Sequence, residues 1–249
     1  TFPALYALMA RAHMEKYGTT EEDLAAVAVK NHFHASLNSH AQFRNLITIQ
    51  QVLDSSMIAK PLKLLDCSPI TDGAAAVILS TKHEARSTKL PKINIIASAV
   101  ATDSLGLAER EELTTLKATK EAAKEAYQMA GVTPKDIDVA EVHDCFTIAE
   151  ILAMEDLGFF KKGEAAKAIR EGKTRLGMGR PVVNTSGGLK ASGHPVGATG
   201  VKQIVEIYQQ LLGVAGKKQV EGAKIGLTHN VGGSGATAVI HILKLDKFD

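Results

Sequence analysis

Two cysteines in 249 residues are too few to staple a disulfide scaffold, and such sparse thiols fit a reducing compartment. No apolar run reaches the roughly 20 residues that a helix needs to span a bilayer. No basic-then-apolar leader opens the chain, so secretion has no support. Charge of one sign is scarce as well. The 29 basic and 27 acidic residues leave a net +2, which excludes the electrostatic footprint of a nucleic-acid or polyanion binder. A starting Met is also lacking: Thr1 leads straight into helix-forming sequence, which reads as processing or as part of a longer polypeptide. What is present is 45% hydrophobic and 22% charged residues. That is the ordinary make-up of a globular protein in water, at a length for one large or two small domains.

The most informative stretch is Ser186–Gly200, Ser-Gly-Gly-Leu-Lys-Ala-Ser-Gly-His-Pro-Val-Gly-Ala-Thr-Gly. Its five glycines permit positive φ and close backbone approach. Pro195 biases His194 towards extended geometry. Helical spacing follows in Val201, Ile204, Val205, Tyr208, Leu211 and Leu212, so His194 is expected at the mouth of a helix, a setting suited to anionic chemistry.

Upstream, Pro3–Tyr17 carries apolar residues at helical spacing and stops at Gly18. Thr20 opens a second helix, with acids in its first turn, expected to run to Asn31. His32, His34 and His40 fall in a polar stretch to Asn45. Their spacing fits no standard metal-ligand pattern, and solvated loop positions are expected for them. Pro61–Leu65 reads as extended and Asp66–Gly73 as turn chemistry. The continuous apolar run Ala74–Leu79 reads as a strand buried on both faces. The charged segment Lys82–Lys92, with Pro91, marks a domain boundary. From Ile93 onward strands alternate with helices: strands at Ile93–Ala101, Ile137–Val142, Val182–Asn184, Lys224–Thr228 and Ala236–Leu245, helices at Thr114–Ala130, Phe146–Leu157 and Val201–Leu212. This alternation predicts an α/β layered domain with helices on both sheet faces.

Three loops follow three of these strands: His143-Asp144-Cys145-Phe146, Gly193-His194-Pro195 and His229-Asn230-Val231-Gly232-Gly233. Loops beyond strand ends in α/β sheets converge on one crevice, so His143, Cys145, His194 and His229 are expected to share a site. Cys with three His is a legal zinc shell, but the residues lack CxxC or HxxxH clustering, and no metal is assigned. Acid–base work on a carbon acid or thioester is the alternative. It needs a group that accepts a proton near neutral pH and N–H donors where an oxyanion develops. Cys145 at a helix start, beside imidazoles, is expected to have its thiolate favoured.

At these residues the sequence resembles the thiolases, over essentially the whole chain. Gly193-His194-Pro195 is similar to the family's Gly-His-Pro block. His143-Asp144-Cys145-Phe146 is similar to the His-Asp-Cys-Phe motif of the sterol-carrier-protein type. His229-Asn230-Val231-Gly232 resembles that type's replacement for Cys-x-Gly, and Asp72–Ala76 resembles the segment entering the last strand of the family's first half. The resemblance implies the thiolase fold, layered α-β-α-β-α, with residues 1–60 in its loop domain, 61–88 ending its first half and 89–249 forming its second half. It implies acyl transfer on acyl-CoA: thiolysis of 3-ketoacyl-CoA or Claisen condensation of two acetyl-CoA. His194 would be an enolate oxyanion donor, His143 would hold the water completing that hole, and Cys145 would move the Cα proton. His229 would line the site, Gly232 or Gly233 would offer an amide to a second hole, and Ser68 would contact pantetheine. No cofactor is implied beyond the coenzyme A thioester as substrate.

The resemblance also implies a homodimer or homotetramer, a zinc-ribbon/OB-fold partner protein, and a cytoplasmic location, peroxisomal in a eukaryote. The family's nucleophilic Cys has no counterpart here. Cys67 sits in the wrong context, so a longer functional polypeptide, or a second chain supplying the missing half, is expected. Two rivals follow: a thiolase-like retro-aldolase acting on CoA-linked side chains, and a non-catalytic thiolase-fold subunit of a complex.

Overall fold

A computed structural model describes residues 1–86 and 92–246 of the chain. Helix α1, Phe2–Tyr17, closes on Gly18, whose left-handed φ of 74° returns its N–H to the Met14 carbonyl. Helix α2, Glu21–Ser36, starts at a reciprocal cap: Asp23 N–H donates to Thr20 Oγ1, and Thr20 N–H donates to the Asp23 carboxylate. It runs five residues past the expected end at Asn31. His32 and His34 therefore lie inside it and are buried, while only His40 of the three is exposed. Burial is possible because each ring finds a carbonyl: His32 Nδ1 bonds to Asn45 O at 3.0 Å and His34 Nδ1 to Asn184 O at 3.0 Å.

Short elements follow: α3 at Ile49–Leu53 and an antiparallel pair, β1 Met57–Ala59 with β2 Leu62–Lys63. The Ala74–Leu79 run is not the expected buried strand. It has no strand structure, and Ile78 is 98% and Leu79 71% exposed. A strand needs a neighbour to take its backbone groups, and among the described residues none pairs with this run. Helix α4 covers Lys82–Arg86. The rest of the expected boundary, including Pro91, falls outside the described residues.

The remainder builds one sheet in the order β3-β7-β6-β4-β5. Its strands and the helices between them run β3 Ile93–Thr102, α5 Lys117–Ala130, β4 Val139–Val142, α6 Thr147–Asp156, α7 Ala165–Arg170, β5 Val182–Val183, α8 Gly188–Ser192, α9 Thr199–Leu212, β6 Ile225–Gly232 and β7 Thr237–Leu245. β4 is parallel to β5 and β6, and β7 is antiparallel to β6 and β3. Alternate residues of the sheet feed two cores. Ala140, Leu227 and Val231 pack with Ala118, Ala122 and Ala126 of α5, whereas Val139 and Leu243 pack with Ile207 and Leu211 of α9. Helices thus cover both faces, as the alternation of elements predicted. Sequence periodicity passed over α7 and α8, both of six residues or fewer.

Helix α6 is buried on every side, including Glu150, Glu155 and Asp156. Its charges are matched internally. Glu150 meets Lys30 at 2.6 Å, Asp156 meets Lys162 at 2.7 Å, and Glu155 accepts from the Gly163 amide at 2.9 Å. An acidic helix can therefore lie centrally, between α2 and α5, with no carboxylate left alone in the interior. α6 follows directly from the His143–Phe146 turn, so this anchored helix fixes one wall of the site.

Candidate active site

The parallel register sets Val142 of β4 beside His229 of β6. The turn after β4 thus emerges next to β6, and His143 Nδ1 reaches Asn230 Oδ1 at 2.6 Å. An amide oxygen only accepts, so His143 carries its proton on Nδ1 and presents Nε2 as a lone pair. Asn230 is held from behind by Gly200 of α9, where a Cβ would lie 3.0 Å from its Nδ2. β6 extends past the expected end at Thr228, so His229 and Asn230 are strand residues with opposed side chains rather than loop residues. His229 Nε2 bonds to Thr119 Oγ1 of α5 at 2.9 Å, and its Nδ1 is buried without a partner.

His194 arrives from the other side. The glycine stretch is not a plain turn: Gly188–Ser192 forms α8, and Gly193 at φ 109° swings the chain out of it. His194 lies edge-on to His143, with ring centroids 5.1 Å apart and planes at 89°. Its Nδ1 contacts Thr199 Oγ1 at 2.7 Å. That hydroxyl also donates to the Pro195 carbonyl at 3.1 Å, which takes the amides of Ala198 and Thr199 at 2.8 and 2.9 Å as well. The Thr199 hydroxyl thus spans the His194 ring and the Pro195 carbonyl and holds the imidazole by its Nδ1.

Residues 67–71 thread between these two turns. Cys67 bridges to Phe146 and Ile70 to His194. The Ser68 amide donates to Cys145 O at 2.9 Å, and Thr71 Oγ1 accepts the His194 amide at 3.1 Å. Ser68 thus sits at the junction, half-buried. A cleft of about 450 Å³ opens between 71–75 and 195–198, beside the His-Pro pair. Gly232 and Gly233 lie at the exposed tip between β6 and β7.

Burial dominates the electrostatics. It pushes the His143 imidazole down to about 4, opposed in part by Asn230, and the His229 imidazole down to about 3. His194 also moves down, through burial and the Lys202 ammonium, which hydrogen-bonds to Ser192 Oγ and Gly193 O at 2.9 and 3.2 Å. All three rings are neutral near pH 7. The expected thiolate at Cys145 is not found. Burial pushes its thiol up to about 12 and Asp144 adds to this, while the Tyr6 hydroxyl of α1 and nearby amides oppose it. Neither imidazole offsets the burial. Cys67 is also pushed up, to about 11, by burial and then by Asp66. The structure thus brings His143, His194 and Ser68 together, sets His229 beneath His143, and turns the Cys145 thiol towards Tyr6. Asn230, Thr199 and Tyr6 were missed in the sequence. The first two sit within motifs already singled out, and no local signal marks the third. Among the described residues no group of three or more His, Cys, Asp or Glu is arranged to hold a metal ion. No helix among them is long and apolar enough to cross a membrane.

A five-stranded mixed sheet with helices on both faces defines an α/β class, and residues 99–245 match the thiolase C-terminal domain-like family. The chain belongs to the thiolase superfamily. It is 56% identical over 242 residues to an acetyl-CoA acetyltransferase of Methanothermobacter thermautotrophicus, which covers 97% of this chain and 63% of that protein. It is 40% identical to sterol carrier protein 2 of Bos taurus, over 95% of this chain and 44% of that protein. The chain therefore spans less than two thirds of the length of these relatives. Among solved structures, the Ltp2-ChsH2(DUF35) aldolase superposes on the whole chain and on 65% of its own, with a TM-score of 0.89 and 28% identity.

Proposed function

We propose that this chain supplies the enolate-forming part of a thiolase-type acyltransferase site acting on acyl-CoA. The observation that carries the reading is the edge-on pair of neutral imidazoles, with His143 offering a bare Nε2; the reading assigns His194 the tautomer that offers Nε2–H. A thioester oxygen between them takes a direct hydrogen bond from His194. It takes a second from a water whose other proton is accepted by His143. Both donors are neutral and preorganised in a water-poor setting, where such bonds act most strongly on developing negative charge. The thioester activates its α-carbon, and Cys145 is the proton acceptor in this reading. A thiol at about 12 accepts a proton only when substrate and the remaining groups of the site stabilise the thiolate. Ser68 and the Gly232 and Gly233 amides are assigned to the pantetheine arm and to a second oxyanion hole. Neither Cys67 nor Cys145 is given the acyl-carrying role in this reading, which assigns it to a thiol outside these 249 residues.

The relatives named acetyl-CoA acetyltransferase support this reading. The aldolase neighbour, whose name pairs two proteins, favours a second one, retro-aldol cleavage of a CoA-linked side chain. A zinc-ribbon/OB-fold partner and a homodimeric or homotetrameric assembly belong to the proposal on the same footing. The test is cleavage of acetoacetyl-CoA by the full-length protein, with and without free CoA. CoA-dependent release of acetyl-CoA supports acyl transfer. Inertness towards it, with release of a carbonyl product from a β-hydroxyacyl-CoA, replaces that reading by the aldolase. Cys145→Ala is expected to abolish exchange of the acetyl-CoA α-proton with solvent, and retained exchange removes Cys145 from its role.

A further inference from the structure

We propose that Asp144 is a positioning residue whose buried carboxylate locks the His143–Cys145 turn onto the turn bearing His194, and so sets the spacing of the two imidazoles. The inference rests on the acyltransferase reading for its kinetic consequence, but its geometry does not. Asp144 is fully buried. Its side chain accepts three bonds: from the Leu189 amide at 2.6 Å, the Lys190 amide at 3.3 Å and Asn31 Nδ2 at 2.7 Å. The first two belong to α8, whose Leu189 carbonyl takes the Gly193 amide at 3.3 Å, one residue before His194. Asn31 belongs to α2 and also donates to Glu150 at 2.8 Å, so the clamp is braced against α6.

A second observation points the same way. A Cβ on Gly188 would lie 2.1 Å from Asp144 Oδ2, and Gly188 has φ +62°. The glycine pair before α8 is thus what lets the carboxylate enter the turn. Gly187, at φ +97°, likewise admits Ala35 of α2, whose Cβ would lie 2.5 Å from an added methyl. Three N–H donors converging on one side chain suit an acceptor-only group. An amide there would turn an NH₂ towards one of them. Burial, and then Glu150, push the Asp144 carboxyl up to about 7, while the Leu189 and Lys190 amides, which donate to it, hold it down; the clamp itself rests on those bonds.

Asp144→Asn keeps the shape and removes the match. A misplacement of 1 Å can cost about 10²-fold in rate, so in the full-length protein kcat for acetoacetyl-CoA cleavage is expected to fall by about 10- to 100-fold, with KM within about twofold. With ¹⁵N-labelled histidine, the ring resonances of His143 and His194 are expected to move while that of His40, exposed and remote from Asp144 in sequence, stays in place. Unmoved His143 and His194 resonances in a folded variant overturn the clamp, as does an unchanged kcat. Should Asp144→Asn fail to fold, Gly188→Ala and Asn31→Ala report instead: shifted rings in both support the clamp, and wild-type spectra in either overturn it. A wild-type protein inert towards acyl-CoA defeats the acyltransferase reading alone and leaves the resonances to decide this one.

Discussion

Asn230→Asp places a carboxylate where an amide oxygen now accepts the His143 Nδ1–H at 2.6 Å. Burial has pushed this imidazole from 6.5 down to about 4, with Asn230 opposing the shift. An opposite charge at such range raises a pKa by about 1–3 units, so His143 in the variant is expected to titrate at roughly 5–7. Each unit corresponds to about 1.4 kcal/mol of coupling. Position 230 is only half-buried, so a carboxylate there keeps some solvation. The sign has two consequences. Below the new pKa, Nε2 carries a proton and can no longer accept from water, so the acid limb of the kcat profile moves up by the same 1–3 units. Stability moves the other way. A wild-type imidazole held below its unfolded value withdraws stability as pH falls from about 6.5 towards about 4, and raising its folded pKa returns part of that. The assay is a ¹³Cε1-histidine titration of His143, run beside a pH–rate profile and an acid unfolding curve. An imidazole that titrates at or below its wild-type value would show that position 230 does not govern the His143 proton.

Thr199→Val removes the hydroxyl that holds the His194 ring by its Nδ1 at 2.7 Å. kcat is expected to fall about tenfold, near the 0.5–1.5 kcal/mol net worth of one hydrogen bond, with Thr199→Ser restoring it; an unaltered kcat refutes that role. Tyr6→Phe removes a group that holds the Cys145 thiol down against burial, so α-proton exchange should slow while acetoacetyl-CoA still binds, and a faster exchange would contradict this. His34 and His229, both pushed down to about 3 by burial, are expected to show flat ring resonances from pH 8 to pH 5. A titration of either in that range would mean that its ring reaches water.

The strand–helix alternation from Ile93 onward was legible because each element has its own period and punctuation. α5 shows Ala118, Ala122 and Ala126 at helical spacing before Gly131 at φ 63°, and β7 is rich in branched apolar residues, interrupted singly by His241 and Lys244. The junction of the two histidine turns was legible because strand order implies convergence. Less visible was whatever depends on distant partners. His32 and His34 look like loop residues until Asn45 and Asn184 supply carbonyls. Ala74–Leu79 has the composition of a buried strand, but composition cannot supply the neighbour that a strand needs. The environment of Cys145 was misjudged because the imidazole of His143 lies two positions away in the same motif, whereas Tyr6 lies 139 positions away.

The misjudged thiol says what this half of the site is for. Buried neutral imidazoles donate and accept hydrogen bonds, and buried thiols resist ionising. The described residues therefore favour stabilising an oxygen that becomes negative over attacking a carbonyl carbon. Thiolysis needs both tasks, and retro-aldol cleavage needs only the first together with a base. The residues seen here serve either chemistry equally well, so the choice between them lies with the groups that face the His143–His194 pair. If a low-pKa thiol faces it, the neutral pair at His143 and His194 stabilises the enolate after acyl transfer. If none does, the same pair stabilises the enolate left by C–C cleavage. Iodoacetamide with peptide mapping distinguishes the two in the full-length protein: rapid alkylation, prevented by acyl-CoA, of a thiol other than Cys67 and Cys145 supports acyl transfer, and no such adduct after exhaustive alkylation favours C–C cleavage.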